Sequence, residues 1–256
     1  MARRATKVKQ ERQAGQPVLL LDAGDALASD RPRAGQKSAE IIIAAMNLMK
    51  YDAMAVGGRD LSLGAEALSQ LKAEAEFPFL SANVILTKTG ELFAEPYLIK
   101  DIGGHRIGIL GLTAADASNA PDFSVYDPLE VAHRYLPELS RQADVVIVLS
   151  NLGTTLDQQL VTEFPQVDLI IGGRPTARPK QALRVEGSQA FILIAEKPSI
   201  GHAGRFLGIA HLQIDGEGNI TECQWQTKAL SPDVADDPEM RALLKQASGP
   251  GSATGR

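Results

Sequence analysis

The feature that most constrains this 256-residue chain is a series of short apolar segments separated by helix-like segments. The apolar segments include "VLLLDAGD", "DAMAVGG", "HRIGILGLT", "ADVVIVLSN" and "VDLIIGG". Between them, apolar residues recur at the three- and four-residue spacing of an amphipathic helix. Strands that are apolar at nearly every position need cover on both faces, as in a parallel sheet flanked by helices. The pattern therefore predicts an α/β fold.

The pattern changes between about residues 182 and 228, where polar and apolar positions alternate around turns such as "IDGEGNI". This change favours a second, antiparallel or mixed sheet. A chain of this length with 44% hydrophobic residues can bury one large core, so we predict a single domain over residues 1–246. The Gly- and Ser-rich residues 247–256 have the composition of a disordered tail.

Charge and hydropathy exclude two classes of partner. The formal net charge of -5 argues against a nucleic-acid partner, because phosphate recognition normally requires a basic surface. The basic residues near the N-terminus are spaced through a predicted amphipathic helix, for which a solvated helix face is the preferred interpretation. No apolar run is long enough to span a membrane, and the N-terminal segment lacks the apolar core of a signal peptide.

Five polar or glycine-rich loops follow the predicted strands, where open α/β sheets place their functional residues. These loops are "DAGDALASD", "GGRDLSLG", "GLTAADAS", "SNLGTT" and "GGRPTARP". We expect any functional site to lie among them.

The order of these segments resembles the calcineurin-like metallophosphoesterases, specifically the catalytic domain of the 5'-nucleotidase and UDP-sugar hydrolase group. "VLLLDAGDAL" resembles the family's strand ending in Gly-Asp, and "MNLMKYDAMAVGGRDLSLG" resembles the segment that carries its Gly-Asn-His-Glu signature. Further matching segments, from "FPFLSANV" to "LSPDVADDPEM", extend the resemblance over about residues 2–244. The resemblance implies a four-layer α/β/β/α sandwich of two mixed sheets with helices outside. It also implies that the first strand of the family fold is missing.

The resemblance further implies a pair of divalent ions, such as manganese or zinc, that activates a water for phosphoester hydrolysis. Asp25 keeps the carboxylate that would bridge the two ions. Other residues stand at the remaining family positions: Gly58 for the ligand asparagine, Arg59 for the catalytic histidine, Asn151 for a ligand histidine, and Arg174 and Thr176 for the two histidines of the Gly-His-x-His motif. Asp25 and Asn151 are then the candidates left for binding a metal.

These replacements predict a degenerate site and a non-catalytic module, a pseudoenzyme without a cofactor. Such a module would bind an unidentified protein partner or a small anion, or have a structural role. The alternative is a metal-dependent phosphoester (nucleotide) hydrolase whose ligands are completed from a missing N-terminal segment. Because relatives are commonly exported, the resemblance also suggests a periplasmic or extracellular location.

The charged residues of the loops allow more than one interpretation. Arg59 and Arg174 would either form a structural salt bridge with Asp25, replacing the lost cations, or bind a small anion. Asp22 and Asp25 also suit a strand-end cap or turn. Asp60 suits the N-cap of a helix that begins near Leu61.

Overall fold

The computed structural model describes residues 1–28, 35–114, 120–174, 181–195 and 204–248. The helices in this part of the chain are α1 (Ala2–Gln13), α2 (Gln36–Met49), α3 (Ala65–Glu74), α4 (Pro128–Leu139), α5 (Thr154–Glu163) and α6 (Pro238–Ser248), with a 3-10 turn at Asp60–Leu63. The strands are β1 (Leu21–Asp22), β2 (Ala53–Ala55), β3 (Phe79–Leu80), β4 (Val84–Leu86), β5 (Tyr97–Ile102), β6 (His105–Thr113), β7 (Phe123–Val125), β8 (Val145–Asn151), β9 (Leu169–Gly172), β10 (Leu183–Arg184), β11 (Phe191–Leu193), β12 (Phe206–Ile214) and β13 (Ile220–Ala229).

The predicted parallel strands form two sheets. The larger sheet has six strands in the order β10-β11-β9-β8-β6-β5, with parallel pairing from β11 to β6 and antiparallel strands at both edges. Strand β8 is buried at all seven positions, as its continuous apolar run requires. The smaller sheet pairs β1, β2 and β3 in parallel. Strands β4 and β7 form a separate antiparallel pair.

Three apolar clusters separate four layers of structure. The first cluster packs the small sheet against helices α1, α2, α3 and α6. The second packs the large sheet against α4 and α5. The third fills the space between the sheets, where side chains such as Leu80 and Ile109 are fully buried. Helices thus cover the outer face of each sheet, and the predicted α/β/β/α arrangement is confirmed.

The segment that was predicted to form one further sheet is divided between two. Strands β10 and β11 join the large sheet, and β11 is buried at all its positions, as expected of an apolar run rather than an alternating one. Strands β12 and β13 form a separate antiparallel ribbon. At its turn, Asp215 Oδ1 accepts the N–H of Asn219 at 2.9 Å. The alternating pattern therefore describes the ribbon correctly but not the two strands before it.

Helix α1 is bound to its neighbours through its basic residues. Arg12 Nη2 donates to the carbonyl of Lys50 at 2.7 Å, at the end of α2. Lys9 Nζ lies 2.7 Å from Asp237 Oδ2, next to α6. These contacts tie α1 to its neighbours, while the side chains of Lys9 and Arg12 stay 43% and 33% exposed, so the predicted solvated face holds only in part.

The C-terminal helix α6 extends to Ser248, so residues 247 and 248 belong to a helix and not to the predicted tail. Residues 249–256 lie outside the described part of the chain. Among the helices described, none combines the length and the apolar composition needed to cross a bilayer.

Candidate functional site

The loops that follow β1, β2, β8 and β9 meet at one edge of the fold, as predicted. A Cβ atom placed on Gly57 would lie 2.2 Å from the main-chain nitrogen of Asp25, and one on Gly173 would lie 2.2 Å from the carbonyl oxygen of Ala23. No side chain fits at these contacts, so glycine allows the loops to touch through their main chains. These loops contain the predicted positions Asp25, Gly58, Arg59 and Arg174, and Asn151 is the last residue of β8. Thr176 lies outside the described residues.

Asn151 ends β8 and joins three of these loops. The residue is fully buried. Its Oδ1 accepts the N–H of Gly58 at 3.0 Å, and its Nδ2 donates to the carbonyl oxygen of Ala23 at 3.3 Å. Both ends of the amide are thus engaged within the protein.

Asp25 forms part of a tight turn after β1. Its φ of 63° lies in the left-handed region, which aspartate tolerates better than most residues. Its Oδ1 accepts the main-chain N–H of Arg59 at 2.9 Å. In the same turn, Asp22 Oδ1 accepts the N–H of Gly24 at 3.0 Å. The interpretation of Asp22 as a strand-end turn residue is therefore confirmed, and Asp25 uses the main chain of Arg59 to connect two loops.

Asp60 organises the same region and was wrongly interpreted from the sequence. Its side chain is fully buried, and its Oδ2 accepts the N–H groups of Gly57 and Asp25, both at 2.9 Å. Its Oδ1 accepts the N–H of Leu27, also at 2.9 Å. Asp60 is therefore not an N-cap: it is the first residue of the 3-10 turn, and Arg59 holds the cap position. The carboxylate holds the β1 loop against the β2 loop.

The electrostatic environment of Asp60 is dominated by burial, which raises the pKa of its carboxyl to about 7. The nearby charge of Asp25 acts in the same direction, while the main-chain N–H donors oppose it. Burial likewise raises the pKa of Asp22, and the positive charge of Arg4 opposes that shift. Asp25 therefore lies close enough to both Asp22 and Asp60 to affect their ionisation.

Ser150 and Asp157 form a second buried polar pair, beneath the β8 and β9 loops. Ser150 Oγ donates to Asp157 Oδ1 and accepts the N–H of Leu152 at 3.2 Å. Burial raises the pKa of Asp157 to about 7, and the hydrogen bond from Ser150 opposes the shift. We did not single out this pair from the sequence, because an acid in the first turn of a helix ordinarily faces solvent at the positive end of the helix dipole.

A divalent metal pair does not fit these side chains. Such a pair requires several carboxylate and imidazole ligands. Across the described ranges, no three His, Cys, Asp or Glu side chains are grouped so that they could hold a metal ion. Gly58 offers no ligand, Arg59 carries a positive charge, and the Oδ1 of Asn151 already accepts a hydrogen bond from Gly58.

Arg59 and Arg174 lie at the exposed rim of the joined loops. The carbonyl oxygen of Arg174 is 3.3 Å from the position that a Cβ on Gly153 would take, so the β8 and β9 loops are adjacent there. The salt bridge of Asp25 with an arginine and the binding of an anion both remain predictions.

Similarity to curated proteins extends over most of the chain. It is 30% identical over 270 residues to the 5'-nucleotidase of Bos taurus, 29% over 270 residues to that of Homo sapiens, and 28% over 267 residues to the snake venom 5'-nucleotidase of Crotalus adamanteus. Each alignment covers 96% of this chain but 45% or 46% of the relative. The chain therefore spans about half the length of these relatives. No family model matches the sequence.

Solved structures share the fold. The sulfate thiohydrolase SoxB of Thermus thermophilus superposes with a TM-score of 0.85 at 19% identity, over 98% of this chain and 46% of that chain. A 5'-nucleotidase precursor, also of Thermus thermophilus, gives a TM-score of 0.82 at 24% identity, over 97% and 52%. The calcineurin-like phosphoesterase YfkN of Bacillus subtilis gives 0.73 at 20% identity, over 96% and 87%. At these identities the likeness establishes the four-layer fold.

Proposed function

We propose that this chain, which belongs to the 5'-nucleotidase group of the calcineurin-like metallophosphoesterases, is a non-hydrolytic member of that group. The relatives in this group are hydrolases. One observation carries the proposal. Positions at which the resemblance places metal ligands here connect the loops through hydrogen bonds within the protein. The domain then acts as a binding or structural module and needs no divalent metal pair.

Three hydrogen bonds support this proposal, because they connect loops that a metal pair would otherwise hold together. They join Asp25 to the N–H of Arg59, and Asn151 to both Gly58 and Ala23. A metal ion at the Oδ1 of Asn151 would compete with the N–H of Gly58 for this acceptor, and loss of that hydrogen bond would cost about 0.5–1 kcal/mol because Gly58 is half-buried. The guanidinium of Arg59 on the adjoining loop adds repulsion toward a divalent cation.

The two arginines at the rim indicate what the module would bind. The planar guanidinium forms paired hydrogen bonds with phosphate, sulfate or carboxylate groups. We propose a small oxyanion, or an acidic group of a protein partner, as the ligand of the surface that includes Arg59 and Arg174. A periplasmic or extracellular location is part of the same proposal, and the snake venom enzymes among the relatives support it.

Phosphate release tests the proposal. The purified chain would be incubated with AMP and, separately, with p-nitrophenyl phosphate, each with manganese or zinc. The Asp25→Ala variant is the matched control, because it removes the remaining family-type carboxylate. We expect equal rates for the two proteins. Metal-dependent release of phosphate that Asp25→Ala abolishes would refute the proposal and favour the hydrolase alternative.

A further inference from the structure

A buried acid lies beneath the joined loops and has no part in the function proposed above. We propose that the protonation state of Asp157 controls how firmly the ends of β8 and β9 are held together.

The position of Asp157 gives it contact with both strand ends. The residue is 1% exposed and lies in the first turn of α5, where its N–H donates to the carbonyl of Gly153 at 3.0 Å. Its Oδ1 accepts the hydroxyl of Ser150, near the end of β8. A Cβ on Gly172, at the end of β9, would lie 3.2 Å from its Oδ2. The carboxyl group is therefore packed between α5, β8 and β9.

Ser150 transmits the state of this carboxyl group to the loops. Its main-chain oxygen accepts the N–H of Gly173 at 2.8 Å, while its Oγ accepts the N–H of Leu152 at 3.2 Å. Gly173 in turn touches the main chain of Ala23 in the β1 loop. A shift of Ser150 would therefore move the hydrogen bond that connects the ends of β8 and β9, and with it the contact of Gly173 with the β1 loop.

The described residues around Asp157 offer no charge to balance its ionised form. Ser150 on β8 is uncharged, Gly172 on β9 has no side chain, and Ile194, which borders Gly172, is apolar. Within the described ranges, burial and the Ser150 hydrogen bond are the two influences on the pKa of Asp157, and burial raises it to about 7. An ionised carboxylate in such a place is stable only if water or a cation reaches it.

The direction of the pH response follows from this burial. We call the state in which the ends of β8 and β9 are held together the closed state, and their separation, which exposes Asp157 to water, opening. In the closed state Asp157 holds its proton up to about pH 7, whereas a solvated aspartate loses it near pH 4. Opening therefore releases a proton, and the closed state is most stable below the solvated pKa. The equilibrium constant for opening rises about tenfold per pH unit between about pH 4 and pH 7, then becomes constant.

Amide hydrogen exchange of the intact chain tests this inference. The amides of Leu152 and Gly173 would be followed from pH 5 to pH 8, and each rate divided by the intrinsic rate of an unstructured amide at that pH. We expect the corrected opening constant to rise about tenfold per pH unit up to about pH 7 and then to level. A flat profile in the wild-type chain would overturn the inference.

Two variants separate titration of Asp157 from a merely structural effect. Asp157→Asn keeps the shape and removes the ionisation, so its profile is expected to be flat; a retained slope would contradict the inference. Ser150→Ala removes the hydrogen bond that lowers the pKa of Asp157, so the pH at which the opening constant stops rising should be higher than in the wild-type chain. An unchanged pH would count against the inference. If Asp157→Asn does not fold, the carboxyl carbon of Asp157 can be titrated by NMR in the wild-type chain. A titration midpoint near pH 7 supports the inference, and one near pH 4 overturns it.

Discussion

Replacing Asn151 with alanine tests whether its amide holds the loops together. The change removes the acceptor of the Gly58 N–H and the donor to the Ala23 carbonyl. Ala23 is buried, so its carbonyl loses its partner at a cost of about 1–3 kcal/mol. Gly58 is half-buried, so water can partly replace the lost acceptor, and we assign about 0.5–1 kcal/mol to that bond. The sum predicts a loss of about 1.5–4 kcal/mol in the free energy of unfolding.

Urea unfolding followed by circular dichroism would measure this loss. Asn219→Ala serves as the control, because Asn219 lies in the exposed turn of the β12–β13 ribbon and should cost less than about 1 kcal/mol. A loss below about 0.5 kcal/mol for Asn151→Ala would show that the amide does not connect the loops, and the proposed replacement of metal by hydrogen bonds would be wrong.

Three further predictions concern the same loops. Gly57→Ala would force its Cβ against Asp25 and should cost about 2–3 kcal/mol or more in thermal or urea unfolding, whereas Gly216→Ala, with open space around it, should cost under about 1 kcal/mol; equal losses would contradict the close contact. Asp25→Asn keeps an acceptor for Arg59 and tolerates the left-handed backbone, so it should cost less than Asp25→Ala, which loses about 1–2 kcal/mol; the reverse order would show that the charge matters more than the turn. Phosphate at about ten times its dissociation constant should add about 1.4 kcal/mol to stability, and Arg59→Gln or Arg174→Gln should reduce this gain; no gain in the wild-type chain would exclude phosphate binding.

The sequence predicts the parts of this fold that depend on local patterns. The apolar run of β8 identified a strand buried on both faces, and the loops after β1, β2, β8 and β9 were expected at the site before any contact was known. The division of residues 182–228 was missed, because the short apolar run of β11 stands next to an alternating segment and was assigned to it.

The contacts that hold the site together could not be predicted in this way. Asp60 binds the N–H of Asp25, 35 positions earlier in the chain, so its partner is invisible to any pattern of neighbouring residues. Asn151 was identified from the family resemblance as a weakened ligand, but its hydrogen bonds to Gly58 and Ala23 depend on how closely the loops approach. That approach depends in turn on glycines at contacts where no side chain fits.

The metal content of the purified chain tests the central claim most directly. The protein would be dialysed against manganese or zinc, freed of unbound metal and measured by elemental analysis, with Asp25→Ala treated in parallel. If hydrogen bonds have replaced the metal pair, the wild-type chain should retain well below one ion and should not differ from the variant. About two tightly held ions per chain, lost in Asp25→Ala, would contradict the account.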